Sequence, residues 1–264
     1  MHILHKRQDG YHDLQTVFYP LPFTDVLEMI RVNNKNETGE IEFSISGLDI
    51  ATGNENNLCV KAYHLLKKEF SGLPSLKMQL HKNIPPGAGL AGGSTDGAFA
   101  LKLINDVSGL ALTNKKLMDT ALTLGSDCPF FILNQTCIAT GRGEIMQTIS
   151  LDLSAYKFVL VNPGLHISTA FAFSLATPHI PKKSITELIQ QPVALWKNEL
   201  KNDFEEPVFN MYPEIKSIKE RLYASGAVYA SMTGSGSTVY GLFKKEYPIN
   251  LSFPENYFMK ILPG

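Results

Sequence analysis

The chain has 264 residues, of which 44% are hydrophobic and 19% charged, and its net charge is −1. That length supports one large domain or two modest ones, each with a real core. The charge balance excludes a bulk attraction to nucleic acid or an anionic membrane, and no run reaches the apolar length of a membrane span. The opening Met1-His2-Ile3-Leu4-His5-Lys6-Arg7 lacks the apolar core of a signal peptide. Cys59, Cys128 and Cys137 stand far apart with no Cys-x-x-Cys pair. Neither a disulfide framework nor a metal site is expected from them, and the default compartment is a reducing cytoplasm.

In chain order, Lys6-Arg7-Gln8-Asp9-Gly10-Tyr11-His12 is a polar turn centred on Asp-Gly, a strong hairpin signal. Only Ile3-Leu4 precede it as strand, so either the first strand is a stub or the natural chain begins earlier. Taken alone, Tyr11 and His12 read as a tyrosine packed at a turn and a solvated histidine. Strands are expected at 26–32 and 41–46, joined by a polar loop at 33–39. Asn57 suits the N-cap of a helix from 58 to 66, which Ser71-Gly72-Leu73-Pro74 ends. Residues 76–82 alternate apolar and polar, as a half-exposed strand does.

That strand leads into Pro85-Pro86-Gly87-Ala88-Gly89-Leu90-Ala91-Gly92-Gly93-Ser94-Thr95-Asp96, with four glycines in seven positions. Ser94, Thr95 and Asp96 are N-cap residue types, and 97–104 reads as a buried helix. A glycine loop opening a helix offers free N–H groups at the positive end of a dipole, which suits a phosphate. A plain surface turn with a helix cap explains the same residues. No Gly-Lys-Ser/Thr follows, so this is not a Walker loop. Gly87, Gly89 and Gly92 match the dinucleotide fingerprint, but that motif needs a buried parallel strand directly before it. The half-exposed strand and Pro85-Pro86 argue against it.

Thr113 suits the cap of a helix that stops at Gly125. Asp127 follows, among apolar residues and before Pro129. It is either a cap or dipole partner for the next helix or a catalytic carboxylate with a perturbed pKa. Strands are expected at 136–140 and 145–149 around Gly141-Arg142-Gly143-Glu144, and at 158–161. A change of subdomain is placed near residue 150, giving domains 1–150 and 151–264. Helices follow at 168–174, 193–200 and 213–224. Strands at 228–232 and 238–243 flank Thr233-Gly234-Ser235-Gly236-Ser237. That turn is either a hairpin or, through its hydroxyls and glycines, a second oxyanion site. Intermixed helices and strands make the class α+β.

Residues 85–96 resemble the phosphate loop of the GHMP small-molecule kinases, and Thr233-Gly234-Ser235-Gly236 resembles their C-terminal glycine motif. More narrowly, Arg7-x-Asp9-Gly10-Tyr11-His12, Leu124-Gly125-Ser126-Asp127-Cys128-Pro129-Phe130-Phe131, Gly141-Arg142-Gly143-Glu144 and Asn202-Asp203-Phe204-Glu205 resemble one branch of that family. That branch phosphorylates a cytidine diphosphate-linked methylerythritol for isoprenoid synthesis outside the mevalonate route. The ordered motifs span residues 6 to about 243.

The resemblance implies a two-domain α+β fold, with an N-terminal domain like domain 2 of ribosomal protein S5 and a ferredoxin-like C-terminal domain. It implies ATP and Mg²⁺, a small-molecule substrate, and neither a nucleic-acid nor a membrane partner. Asp127 would be the general base toward the 2-hydroxyl. Residues 85–95 (Pro85, Pro86, Gly87, Ala88, Gly89, Leu90, Ala91, Gly92, Gly93, Ser94 and Thr95) would hold the ATP phosphates, with Ser94 or Thr95 toward Mg²⁺. Asn57 and Lys82 would line the nucleotide side. Tyr11 and His12 would read the cytosine, and Gly234, Ser235, Gly236 and Ser237 would close over phosphate oxygens.

Two departures stand out. Ala91 occupies a position where the family usually has glycine, which a negative φ would accommodate. The family's Ala-Lys-Ile/Leu-Asn-Leu strand, with its lysine, would precede Met1, so the natural chain is expected to begin earlier. The resemblance leaves two alternatives: a GHMP-fold nucleotide-binding module without activity, or another small-molecule kinase of the same fold.

Overall fold

A computed structural model describes residues 1–32, 40–49 and 54–264. The polar loop expected at 33–39 lies outside these described residues. The first half holds β1 (His2–Lys6), β2 (His12–Phe18), β3 (Val26–Arg31), β4 (Ile41–Gly47), α1 (Leu58–Glu69), β5 (Leu76–Lys82), α2 (Gly92–Ser108), α3 (Asn114–Leu124) and α4 (Cys128–Leu133). It is followed by β6 (Cys137–Thr140), β7 (Ile145–Thr148), β8 (Tyr156–Asn162), α5 (Thr169–Leu175), α6 (Ile185–Ile189) and α7 (Val193–Glu199). The chain closes with α8 (Glu205–Met211), α9 (Pro213–Ala224), β9 (Tyr229–Met232), β10 (Val239–Lys244) and β11 (Phe258–Pro263). The class is α+β.

The chain folds as two compact units. One comprises Phe23–Pro86 and Ala91–Gln135; the other comprises Met1–Pro22, Gly87–Leu90 and Thr136–Gly264. In the first unit, β5 is the middle strand of a three-stranded sheet, antiparallel to β3 and parallel to β4. Its alternation holds: Leu76, Met78 and Leu80 are buried while Lys77, Gln79 and His81 face out. The buried face meets α1 and α2 through Cys59, Tyr63, Leu66, Leu101 and Ile104. Asn57 caps α1 as expected, its side chain accepting the Cys59 N–H at 2.9 Å. Thr113 caps α3 by accepting the Lys116 N–H.

The second unit carries two four-stranded sheets, ordered β1-β2-β6-β7 and β11-β8-β10-β9. The Asp-Gly turn does make a hairpin: β1 pairs antiparallel with β2, and the Arg7 N–H bonds Tyr11 O at 2.8 Å. β1 is a five-residue strand with His2 and Ile3 buried. One face of the second sheet packs against α8 and α9 through Val159, Val161, Val239, Val208, Ile215 and Leu222. Sequence reasoning passed over α6, although Ser184 and Glu187 form a full capping box at its start. It passed over α8 and β11 too. No helix among the described residues is long and apolar enough to cross a membrane.

Candidate active site

Helix α2 begins at Gly92, two residues before the expected caps. Ser94, Thr95 and Asp96 therefore lie inside its first turns, and no side chain caps it. The first intrahelical bond runs from the Thr95 N–H to Ala91 O at 2.9 Å. The N–H groups of Gly92, Gly93 and Ser94 precede that bond, so they are the helix's orphan donors. A Cβ built on Gly93 would meet nothing within 4 Å, so the space beside these donors is open. Ala91 has φ +53°, not the negative φ expected of it. The turn needs a left-handed residue there, and alanine bears the strain that glycine avoids.

Beneath this helix start lies a closed ionic group. Lys82 Nζ bonds Asp96 Oδ2 at 2.6 Å and is paired with Asp25, and all three side chains are almost wholly buried. A Cβ on Gly92 would sit 3.5 Å from Lys82 Nζ, which puts the ammonium under the first helical residue. Asp25 Oδ1 also accepts the N–H groups of Asn83 (2.6 Å) and Ile84 (2.9 Å). Burial outweighs the attraction of Lys82 and raises the Asp96 carboxyl to about 7. Asn57 and Lys82 are thus both engaged with protein partners, one as a cap and one in this group. Asp25 escaped sequence reasoning and Asp96 was read only as a cap type, because nothing local marks a carboxylate 57 or 14 residues from its lysine.

Asp127 stands at the start of α4, with Cys128 at the first helical position and Pro129 at the second. It occupies the cap position without capping: its side chain makes no bond to the helix. The residue is open to solvent, yet protein atoms crowd its carboxylate, and that desolvation raises its pKa. The neighbouring Cys128 thiol hydrogen-bonds Ser94 on the first turn of α2. Asp127 and the orphan donors of α2 are therefore fixed near one another within a single unit.

The other unit holds the remaining expected residues. Residues Gly87–Leu90 pack on the turn between β9 and β10. The Thr233 hydroxyl donates to Gly89 O at 3.1 Å, and the Thr238 N–H to Ala88 O at 3.1 Å. A Cβ on Gly89, at φ +74°, would fall 2.6 Å from Gly236 O and Thr233 O, so only glycine permits this approach. Ser237 is wholly buried and is held with Thr238 by Asn162 Nδ2, both at 3.0 Å. Gly234 and Ser235 remain partly open.

Tyr11 is 53% exposed, and the Arg142 guanidinium lies over its ring at 4.6 Å from the centroid. His12 stacks on Phe173 at 5.0 Å between centroids. Burial, seconded by Lys6, lowers the His12 pKa, so the ring is neutral at pH 7. Arg142 and Phe173 join this group only in three dimensions. The glycines around Arg142 were the only local hint, and Phe173 carried none.

A model of the GHMP kinase N-terminal domain matches residues 57–135, and one of the GHMP kinase C-terminal domain matches residues 184–251. Together they define the class: a GHMP kinase. A 4-diphosphocytidyl-2-C-methyl-D-erythritol kinase of Bacteroides fragilis is 49% identical, across 94% of this chain and 90% of the relative. One from Azobacteroides pseudotrichonymphae is 47% identical at the same coverage. A crystal structure of 4-(cytidine 5'-diphospho)-2C-methyl-D-erythritol kinase, 27% identical, superposes with a TM-score of 0.77 over 100% of this chain and 95% of that one. A homoserine kinase from Cytophaga hutchinsonii, at 13% identity and a TM-score of 0.66, shares the fold. The chain belongs to the 4-diphosphocytidyl-2-C-methyl-D-erythritol kinase family.

Proposed function

We propose that this chain transfers the γ-phosphoryl group of ATP to the 2-hydroxyl of 4-diphosphocytidyl-2-C-methyl-D-erythritol. One observation carries the reading: within one unit, a carboxylate with raised proton affinity sits beside a helix start with three orphan N–H donors. Phosphoryl transfer asks mainly for positioning and charge stabilisation. Asp127 accepts the hydroxyl proton as that oxygen attacks the γ-phosphorus, and the bond to ADP breaks. Its raised pKa makes it a stronger base than an ordinary carboxylate.

The N–H groups of Gly92, Gly93 and Ser94 take phosphate oxygens, and the open space at Gly93 fits them. Residues 85–91 carry the backbone to these donors, with Asn57 and Lys82 shaping the nucleotide side from beneath. Ser94 and Thr95 would hold Mg²⁺ beside those phosphate oxygens through the hydroxyl oxygens they offer on the first turn. The Thr95 hydroxyl already donates to Ala91 O at 3.0 Å, with its lone pairs left over. When bound, the ion neutralises phosphate charge.

Tyr11, backed by Arg142, offers its free face to the cytosine, and neutral His12 offers one donor and one acceptor to the base edge. Gly234 and Ser235, the open part of the turn, hold the substrate's phosphate oxygens, while Gly236 and the buried Ser237, expected to share that task, shape the turn from within. The ATP-binding part on this reading is the unit of residues 23–86 and 91–135; the division into 1–150 and 151–264 expected from the sequence differs from the compact units, which group residues 1–22 and 136–150 with the C-terminal residues. The three free cysteines go with a reducing, cytoplasmic compartment.

The test is direct. The chain is incubated with Mg²⁺-ATP and the diphosphocytidyl-methylerythritol and followed by phosphorus NMR. A new phosphomonoester resonance appearing in step with ADP is expected. ATP and substrate that both bind but do not react would favour a nucleotide-binding module instead.

A further inference from the structure

Asn202-Asp203-Phe204-Glu205 is the one motif singled out in the sequence to which the reaction gives no task. The structure shows what these residues touch. Asn202 is buried, and its Nδ2 donates to two carbonyls of the glycine turn, Met232 O and Gly234 O, each at 2.8 Å. Its Oδ1 accepts the Phe204 N–H at 3.1 Å, which fixes the amide's orientation. Glu205 is also buried. Its Oε1 accepts the Met232 N–H at 2.8 Å and the Ser231 hydroxyl at 3.0 Å, while Oε2 is paired with Lys219 Nζ at 2.6 Å. The Phe204 ring, 1% exposed, packs edge-on to Phe173, the ring on which His12 stacks.

The backbone of residues 231–234 is thus gripped from one side by two side chains of one short segment. A carboxylate takes its N–H, and an amide takes its carbonyls. A carbonyl pinned by a donor leaves its own peptide plane little freedom, and the next N–H belongs to that plane. Holding Gly234 O therefore sets the direction of the Ser235 N–H, while the bond to Met232 O steadies the end of the strand before the turn. Within the turn the Thr233 N–H already donates to Thr238 O at 2.9 Å and the Gly236 N–H to Thr233 O at 3.0 Å, so the plane between Gly234 and Ser235 is the one that Asn202 fixes.

We propose that Asn202 is a positioning residue of the reaction, aiming the Ser235 N–H of the 233–237 turn at the substrate's phosphate oxygens, with Glu205 anchoring the strand end behind it. This rests on the functional reading of that turn given above. Asn202 touches no substrate; it acts through the turn.

The test compares Asn202→Ala and Asn202→Asp with the wild-type chain. The aspartate keeps the Phe204 bond but turns an oxygen toward two carbonyls. Both variants should raise KM for the cytidylyl substrate by about tenfold or more, with kcat/KM falling up to about 100-fold, the effect of a misplacement near 1 Å. KM for ATP should stay unchanged. A merely structural role predicts the opposite split: less active enzyme and a lower melting temperature, with both KM values intact, and that result overturns the proposal.

Amide hydrogen exchange at residues 233–237 gives a readout without turnover. Faster exchange there in Asn202→Ala, with the β8–β10 pairing still protected, is expected. Unchanged exchange overturns the proposal even if the wild-type chain shows no kinase activity, so the two readings fail separately. If Asn202→Ala does not fold, Glu205→Gln serves. It keeps one acceptor for the Met232 N–H, and the same exchange pattern at reduced amplitude is expected.

Discussion

The start of α2 and the turn between β9 and β10 both present glycine backbone, and they rest on different supports. Beneath α2 the support is charge: one ammonium between two carboxylates, all buried. Beneath the 233–237 turn it is direction: an amide and a carboxylate bonded to named peptide groups at 2.8 to 3.0 Å. A buried ionic group is costly to break, because each partner left behind is an uncompensated charge. It also answers to pH. Directed hydrogen bonds contribute less each, but they decide where a flexible backbone points. The first arrangement suits a helix end whose donors are already aligned by the helix itself. The second suits a turn that has no such internal order.

The largest effect expected in the α2 unit is chemical. Asp127→Asn should lower kcat by about 10²- to 10⁴-fold, the range for losing a general base, while ATP still binds with its wild-type Kd. A variant retaining full turnover would remove Asp127 from the reaction. Next comes the ionic support. Lys82→Met leaves Asp25 and Asp96 buried without their cation and should cost about 3–5 kcal/mol in urea unfolding. A loss below about 1 kcal/mol would place this pair with ordinary surface bridges.

The pH dependence comes third. The Asp96 carboxyl is raised to about 7 in the folded chain from an ordinary 3.8. Between those values the folded state binds the proton more tightly than the unfolded one. The group's stability contribution is therefore fully present below about 3.8 and is lost as pH rises toward 7. Asp127 pulls the same way. Asp203, in the other unit, pulls the opposite way. Burial opposes it, but the His2 bond and the Ile3 N–H hold its carboxyl below 3.8, so its contribution is lost as pH falls. Asp96→Asn should flatten the decline in stability between pH 4 and 7, measured by urea unfolding at several pH values. An unchanged slope would contradict the assignment. The smallest effect belongs to Ala91→Gly. Relief of the left-handed alanine, partly offset by glycine's chain entropy, should stabilise by about 1 kcal/mol or less. A destabilised variant would mean that the methyl group packs usefully.

Much of this was legible from the chain. The alternation of 76–82, the caps Asn57 and Thr113, and the two glycine segments each rest on a local rule, and each appears where that rule puts it. What escaped was non-local. Asp25 reaches Lys82 across the sheet, Phe173 reaches His12 from another element, and Asn202 reaches Gly234 over 32 residues. No spacing encodes such pairings. The start of α2 was misplaced by two residues because Ser94, Thr95 and Asp96 have the chemistry of caps. Here that chemistry serves other partners: Ser94 bonds Cys128, Thr95 bonds Ala91 O and Asp96 bonds Lys82. The role of Asn202-Asp203-Phe204-Glu205 became readable only with its hydrogen bonds in view.

The most direct test of the contrast between the two glycine segments is an amide NMR titration of the isotope-labelled chain with each ligand separately. Mg²⁺-ATP alone should shift the amides of Gly92, Gly93 and Ser94 and leave those of Gly234 and Ser235 in place. The diphosphocytidyl-methylerythritol alone should shift Gly234 and Ser235 together with Tyr11 and His12. ATP shifts confined to the 233–237 turn, with none at the start of α2, would contradict the account.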